Sequence, residues 1–221
     1  FELVTTADGI VEAYRKGRMA ALMGIEGGHA IEDSLRLLRD FYALGIRYMT
    51  LTHSNNNNWA DSSGDLNRIE GKKPGLTEFG RQVVLEMNRL GMMVDISHVS
   101  DKTFWDVLEV SKAPVFASHS SCRALSNIPR NLTDEMIQAL AKKGGVIQIN
   151  FGCDFLNPKA AEVSRTIRAR IREQGGRKTG AAAREQTRQM LEEMRKKIPP
   201  ATLDDVVRHI EHVIQTAGVD A

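Results

Sequence analysis

Four stretches of this 221-residue chain run from apolar residues into a side chain that can bind a metal or move a proton. They are MAALMGIEGG with Glu26, IRYMTLTHS with His53, GMMVDISHVS with His98 and APVFASHSS with His119. Imidazole nitrogen and carboxylate oxygen are ligands that zinc and similar divalent ions accept. Strands that each deliver one such residue at the C-terminal end are what a parallel α/β barrel presents at its active face. The chemistry this suits is metal-assisted hydrolysis.

His98 and His119 stand at equivalent strand ends with one helix between, each preceded by a serine, Ser97 and Ser118. Neighbouring strands in a βα repeat would let both imidazoles reach one ion at about 2.0–2.1 Å. Glu26 precedes Gly27-Gly28, which let the backbone turn away sharply. Its carboxylate either bridges two cations or serves as an acid at the N-terminus of the next helix. His53 is a ligand, a donor to an oxyanion, or a loop histidine bonded to the run Asn55–Asn58. Asp95 lies three residues before His98, where it could hold an imidazole tautomer or cap a backbone group. Arg130, in NIPRNLTDE, either forks onto a substrate carboxylate or is a surface arginine. His29 belongs to the start of a helix, and His209 and His212 read as surface residues of a late amphipathic helix.

The elements that must position these groups alternate along the chain. Strands are expected at Ala20–Ile25, Ile46–Thr52, Met92–Ile96, Pro114–Ser118 and Val146–Phe151. Helices are expected at Ile31–Leu44, from Thr77 to Leu90, from Ser100 or Asp101 to about Lys112, and from Thr133 to Lys143. Ser54–Gly71 is polar and Asn-rich, hence a loop. Repeated βα units imply a parallel sheet with right-handed connections. The segment Pro158–Lys197 is rich in Arg, Lys, Glu, Ala and Gln and reads as two charged helices with a break, projecting from the body. A solvated insertion is the plain interpretation; a homodimer arm or a lid over the site are the alternatives. Thr202–Ala217 is an amphipathic helix with Val206, Val207, Ile210, Val213 and Ile214 on one face.

Composition narrows the class of protein. Charged residues are 26%, hydrophobic residues 42% and the net charge is +2, which is ordinary for a globular chain. A mild charge with 5% aromatic residues argues against a nucleic-acid surface. Two cysteines imply no disulfide framework, and no apolar run reaches the roughly 20 residues of a membrane span. Five strands cannot close an eight-stranded barrel. The chain is therefore expected to be one partial barrel domain over residues 1–221, incomplete at both ends, with a charged helical insertion at about 158–200.

Longer motifs add a family. GIEGGHAIEDSLRLLRDFYALGIRYMTLTHSNNNNWADS, DISHVS, ASHSSCRALSNIPRNLTDEMI and GGVIQINF, in this order, resemble the membrane (renal) dipeptidase family of zinc peptidases. The similarity runs from about Gly24 to Phe151 and resumes through Thr202–Asp220. It implies a (β/α)8 TIM barrel of the metal-dependent hydrolase type with two zinc ions per intact subunit. It implies Glu26 as the bridging glutamate, His98 and His119 as the ligands of the second zinc, His53 beside the scissile carbonyl, and Arg130 on the terminal carboxylate of a dipeptide substrate. The implied reaction is peptide hydrolysis by a metal-bridging hydroxide, with C-terminal D-residues tolerated and β-lactams sometimes cleaved.

Two family features have no counterpart here. No His-x-Asp pair occurs anywhere in the chain, although such a pair completes the family's first zinc. The family's catalytic aspartate follows the helix that ends here in GVDA. The chain is thus read as an internal fragment carrying half of the zinc site and the bridge, and inactive alone. A different metal-dependent barrel amidohydrolase and an inactive barrel are the rival readings.

Overall fold

Five short parallel strands make the centre of this structure, a computed structural model that describes residues 1–65, 74–175, 185, 188–189, 192–194 and 196–219. They are β3 (Met23–Glu26), β4 (Ile46–Thr50), β5 (Met93–Asp95), β6 (Val115–Ser120) and β7 (Val146–Ile149), and they lie side by side in chain order. A doubly wound sheet reverses its strand order at a switch point. In-order winding is that of an α/β barrel wall. A smaller parallel pair, β1 (Glu2–Leu3) and β2 (Ala20–Ala21), flanks α1 (Ala7–Arg15) ahead of this sheet.

The helices between the strands are α2 (Leu35–Ala43), α3 (Glu78–Leu90), α4 (Asp101–Val110) and α5 (Asp134–Lys142), and each packs on the next. Their starts are set by short side chains. Ser34, Thr77, Ser100 and Thr133 each accept from the backbone N–H three residues on, at 3.1–3.3 Å, a contact worth about 1 kcal/mol per helix. Gly91 closes α3 at φ 78°, a left-handed conformation that side chains with a Cβ disfavour. Leu38, Met49, Val83, Met87, Phe104 and Leu140 fill the space between helices and sheet. Among the described residues no helix is long and apolar enough to cross a membrane.

Helix α2 begins later than the expected Ile31. A 3-10 turn, Gly28–Ile31, comes first, and Glu32 and Asp33 then sit at φ 47° and 54° before the Ser34 cap. The cause is upstream. The N–H groups of Gly27 and Gly28 still bond the carbonyls of Thr50 and Leu51, so the chain must turn out of the sheet before it can coil. After β7 a short helix α6 (Cys153–Leu156) leads into α7 (Pro158–Gly175). Helix α7 opens the charged segment, but it is not a free projection: Ala160, Ala161 and Ile167 are buried. The expected break at Gly176 and Gly180 lies outside the described residues, as do most residues of the second charged helix and part of the loop at 66–71.

The last helix, α8 (Leu203–Ala217), starts at a capping box in which Thr202 and Asp205 bond each other's backbone N–H. It packs on α5 rotated away from the face its apolar pattern suggests, so that of that face only Val213 is buried and Val206 partly so. Asp205, His209 and Val213 are buried, whereas Val207, Ile210 and Ile214 are about two-fifths exposed. The reason is polar. His209 is not a surface residue: its Nδ1 accepts from the Cys122 N–H at 3.0 Å and its Nε2–H donates to the Leu156 carbonyl at 3.2 Å. Two buried backbone groups thus depend on one ring. His212 instead pairs with Asp134 at 2.8 Å.

Burial holds the His209 ring below the usual histidine range, with His212 and Arg208 acting the same way and Asp205 against. The folded ring therefore binds a proton less readily than the unfolded one. Its contribution to stability is complete above about pH 6.5 and declines as acid lowers the pH through that value. Exchanging His209 for alanine is expected to destabilise the intact protein by about 2–4 kcal/mol, since two buried polar groups lose their partner and a cavity opens. Denaturant titrations at pH 8 and pH 5 check both statements, the variant showing a smaller loss on acidification.

Candidate metal centre and its cleft

The four side chains that the sequence places at strand ends emerge at the C-terminal rim of the five-stranded sheet. Glu26 ends β3, His53 follows β4, His98 follows β5 and His119 lies in the last turn of β6. The ladder aligns Glu26 with Thr50 and Thr50 with Asp95, so the ends of three strands are level. Glu26 Oε1 lies 3.2 Å from His98 Nε2 and 3.1 Å from His119 Nε2, and the two nitrogens are 2.8 Å apart.

These three atoms could hold one ion. Donors on a tetrahedral zinc at about 2.05 Å are separated by about 3.3 Å, so the observed spacings need only a few tenths of expansion. Two nitrogens and a carboxylate oxygen are also the donor types that zinc takes. His53 stands further out. Its Nε2 is 3.9 Å from Glu26 Oε1, and its ring centroid is 4.5 Å from that of His98.

Backbone geometry makes the convergence possible. Gly27 has φ 108°, and a Cβ added to Gly28 would come within 2.3 Å of the Trp59 ring, so the chain after Glu26 can turn and pack only as glycine. His98 itself sits at φ 70°, a left-handed conformation costing a non-glycine residue about 1–2 kcal/mol. The loop before α3 compensates. The Ser63 N–H donates to the His98 carbonyl at 2.8 Å, and the Ser62 hydroxyl lies 2.5 Å from the His53 carbonyl and 3.2 Å from that of His98. The Asn run shapes this loop: Asn57 accepts from Trp59 and Ala60 and donates to Leu51, and Asn56 accepts from Ser62. Nothing in the sequence marks Ser62, because its role arises only when the loop folds back across two strand ends.

Burial and nearby positive charge disfavour the doubly protonated form of both imidazoles. Burial pushes His98 down to about 3, with Arg130, His119 and His53 acting in the same direction. Burial and Arg130 also lower His119, against the pull of Asp95 and Glu26. Arg130 is no isolated surface residue. It donates to the His119 carbonyl at 3.3 Å, and its Cζ lies 5.1 Å from the centre of the Phe155 ring. A cleft of about 800 Å³ opens here, lined by His98, His119, Arg130, Asn150, Phe155 and Arg165. Phe155 and Arg165 come from α6 and α7; the sequence offered the segment that begins with α7 as a lid only in the alternative, and did not connect α6 to the site. Asp95 is fully buried and accepts from the backbone N–H groups of Ser97 and Ser118 at 2.9 and 3.0 Å; its carboxylate bonds to neither ring nitrogen of His98.

A parallel α/β wall with an acid and two imidazoles at its C-terminal rim is the arrangement of an α/β barrel carrying a candidate metal site. Comparison with known proteins narrows this. The family described as membrane dipeptidase, peptidase family M19, matches residues 1–221, and the chain belongs to it. An uncharacterized dipeptidase, C965.12, of Schizosaccharomyces pombe is 38% identical over 220 residues, which are 98% of this chain and 43% of that protein. The probable dipeptidase PvdM of Pseudomonas aeruginosa superposes with a TM-score of 0.82 at 27% identity, over 98% of this chain and 59% of that one. A metallopeptidase of Rhodobacter sphaeroides, liganded with a phosphinate mimic of the dipeptide L-Ala-D-Ala, superposes with a TM-score of 0.74 at 27% identity, over 99% and 52%. The chain thus spans about half the length of the barrel structures it matches.

Replacing Glu26, His98 or His119 singly by alanine is expected to weaken zinc binding by the intact protein by more than about tenfold. Replacing His53, outside the close cluster, is expected to change it much less. Competition with a coloured chelator measures both.

Proposed function

We propose that the intact protein is a zinc dipeptidase in which Glu26 would be the carboxylate shared by two zinc ions and His98 and His119 would hold one of them. The observation that carries this reading is the approach of Glu26 Oε1 to both Nε2 atoms, at 3.2 and 3.1 Å, in a member of the membrane dipeptidase family. The carboxylate keeps a second oxygen for the other ion. When bound, the zinc pair supplies Lewis acidity and a water acidified toward neutral pH.

The remaining roles fall to this chain's own side chains. His53, half-exposed at the rim, donates a hydrogen bond to the substrate carbonyl oxygen as negative charge gathers there. Arg130, in the cleft wall beside His119, forks onto the free carboxylate of the substrate. Two guanidinium bonds to one carboxylate fix the distance from the chain end to the scissile bond, which leaves room for one residue on the leaving side. The L-Ala-D-Ala mimic bound to the Rhodobacter sphaeroides relative supports tolerance of a C-terminal D-residue.

Kinetics on a dipeptide and on its C-terminal amide test the reading. The amide is expected to be a poor substrate. Arg130→Met is expected to lower kcat/KM for the dipeptide by about 10- to 100-fold, the value of a hydrogen bond between charged groups, and to leave the amide nearly unaffected. Equal cleavage of acid and amide would remove the Arg130 role. Metal analysis of the purified intact protein is expected to find about two zinc ions per subunit, and none would remove the peptidase assignment.

A further inference from the structure

Beneath the metal centre lies a chain of hydrogen bonds with only one self-consistent set of protons. The Ser118 hydroxyl is 2.6 Å from Asp95 Oδ2 and 2.7 Å from His119 Nδ1. The same Asp95 oxygen takes the Thr50 hydroxyl at 2.6 Å, and Asp95 Oδ1 takes the N–H groups of Ser97 and Ser118. Four donors from β4, β6 and the turn beyond β5 therefore converge on one fully buried carboxylate. A hydroxyl has one hydrogen and gives it to the stronger acceptor, here the carboxylate. Its lone pair is then left facing His119 Nδ1, and that nitrogen must carry the ring proton.

The other end of the ring agrees. His119 Nε2 faces His98 Nε2 at 2.8 Å and Glu26 Oε1 at 3.1 Å, where a free lone pair is what a metal needs. We propose that Asp95, acting through the Ser118 hydroxyl, is a positioning residue that locks His119 in its Nδ1–H tautomer and so keeps Nε2 open as a metal ligand. The inference deepens the zinc reading and rests on it for the ligand role of Nε2. The carboxylate reaches the imidazole through a serine because Asp95 is three residues short of His98 on its own strand and one strand away from His119. The link also makes the ring a better donor, since the carboxylate draws on the Nδ1 proton.

Asp95→Asn is the decisive substitution because it keeps volume and the acceptor oxygen for the two N–H groups. The introduced amide would donate to the Ser118 hydroxyl, which must then pass its own hydrogen to His119 Nδ1. The ring proton would move to Nε2, closing it to metal. In the intact protein, nitrogen NMR of labelled histidine is expected to show the Nδ1–H form of His119 in the metal-free wild type and the Nε2–H form in Asp95→Asn. Zinc affinity is expected to fall about 10- to 100-fold in that variant and in Ser118→Ala. Ser118→Thr, which keeps the hydroxyl, is expected to restore affinity. Thr50→Val removes a donor from the same buried oxygen but leaves the link to His119, so it is expected to lower stability without changing the tautomer.

An unchanged His119 tautomer in both Asp95→Asn and Ser118→Ala, with zinc affinity within about twofold of wild type, would overturn the proposal. So would an equal tautomer change in Thr50→Val. The tautomer is read without metal or substrate, so its outcome separates failure of this link from failure of the zinc dipeptidase reading.

Discussion

Parallel pairing leaves a strand no choice about where it ends. Each of the five strands must emerge at the same edge as its neighbours, because all five run in the same direction. With the strands in chain order, a residue placed at the end of β3 is held within two or three strand widths of residues at the ends of β5 and β6. The contact between Glu26, His98 and His119 follows from that ladder more than from any attraction among the three. The sheet supplies the restraint that holds the two imidazoles and the carboxylate within 3.2 Å of one another.

The rim is strained and the layer below it is not. His98 occupies a left-handed conformation, and its carbonyl is caught by Ser62 and Ser63 from a loop that also holds the carbonyl of His53. Below it, Asp95 gathers donors from the two flanking strands and the turn beyond its own in a fully buried position. Strain is tolerated at the ligand because the carboxylate beneath it is held by four donors. On the open side, Arg130, Phe155 and Arg165 come from loops and helices outside the sheet, so the cleft can vary in shape without disturbing the centre.

Much of this was legible in the amino-acid order. Glu26, His53, His98 and His119 announce themselves because each closes an apolar run, and Thr77, Ser100, Thr133 and Thr202 mark helix starts because a hydroxyl cap acts within three residues. The failures share a cause. Helix α2 starts late because Gly27 and Gly28 remain paired with β4. Helix α8 buries Asp205 and His209 rather than its most apolar face, because the capping box and the bonds of His209 to Cys122 and Leu156 set its rotation. In both cases a hydrogen bond to a distant segment outweighs a local pattern.

The order of residues by itself determined the elements, their parallel arrangement and the four rim side chains, since propensity, capping and strand-end placement act over a few neighbours. Only the tertiary structure decided that Ser62 clasps two histidine carbonyls, that Asp95 meets His119 through Ser118 rather than His98 directly, and that α7 walls the cleft. Those contacts join positions distant along the chain. Their geometry depends on sheet register and loop path to within a hydrogen-bond length, and no local pattern of residues carries that precision.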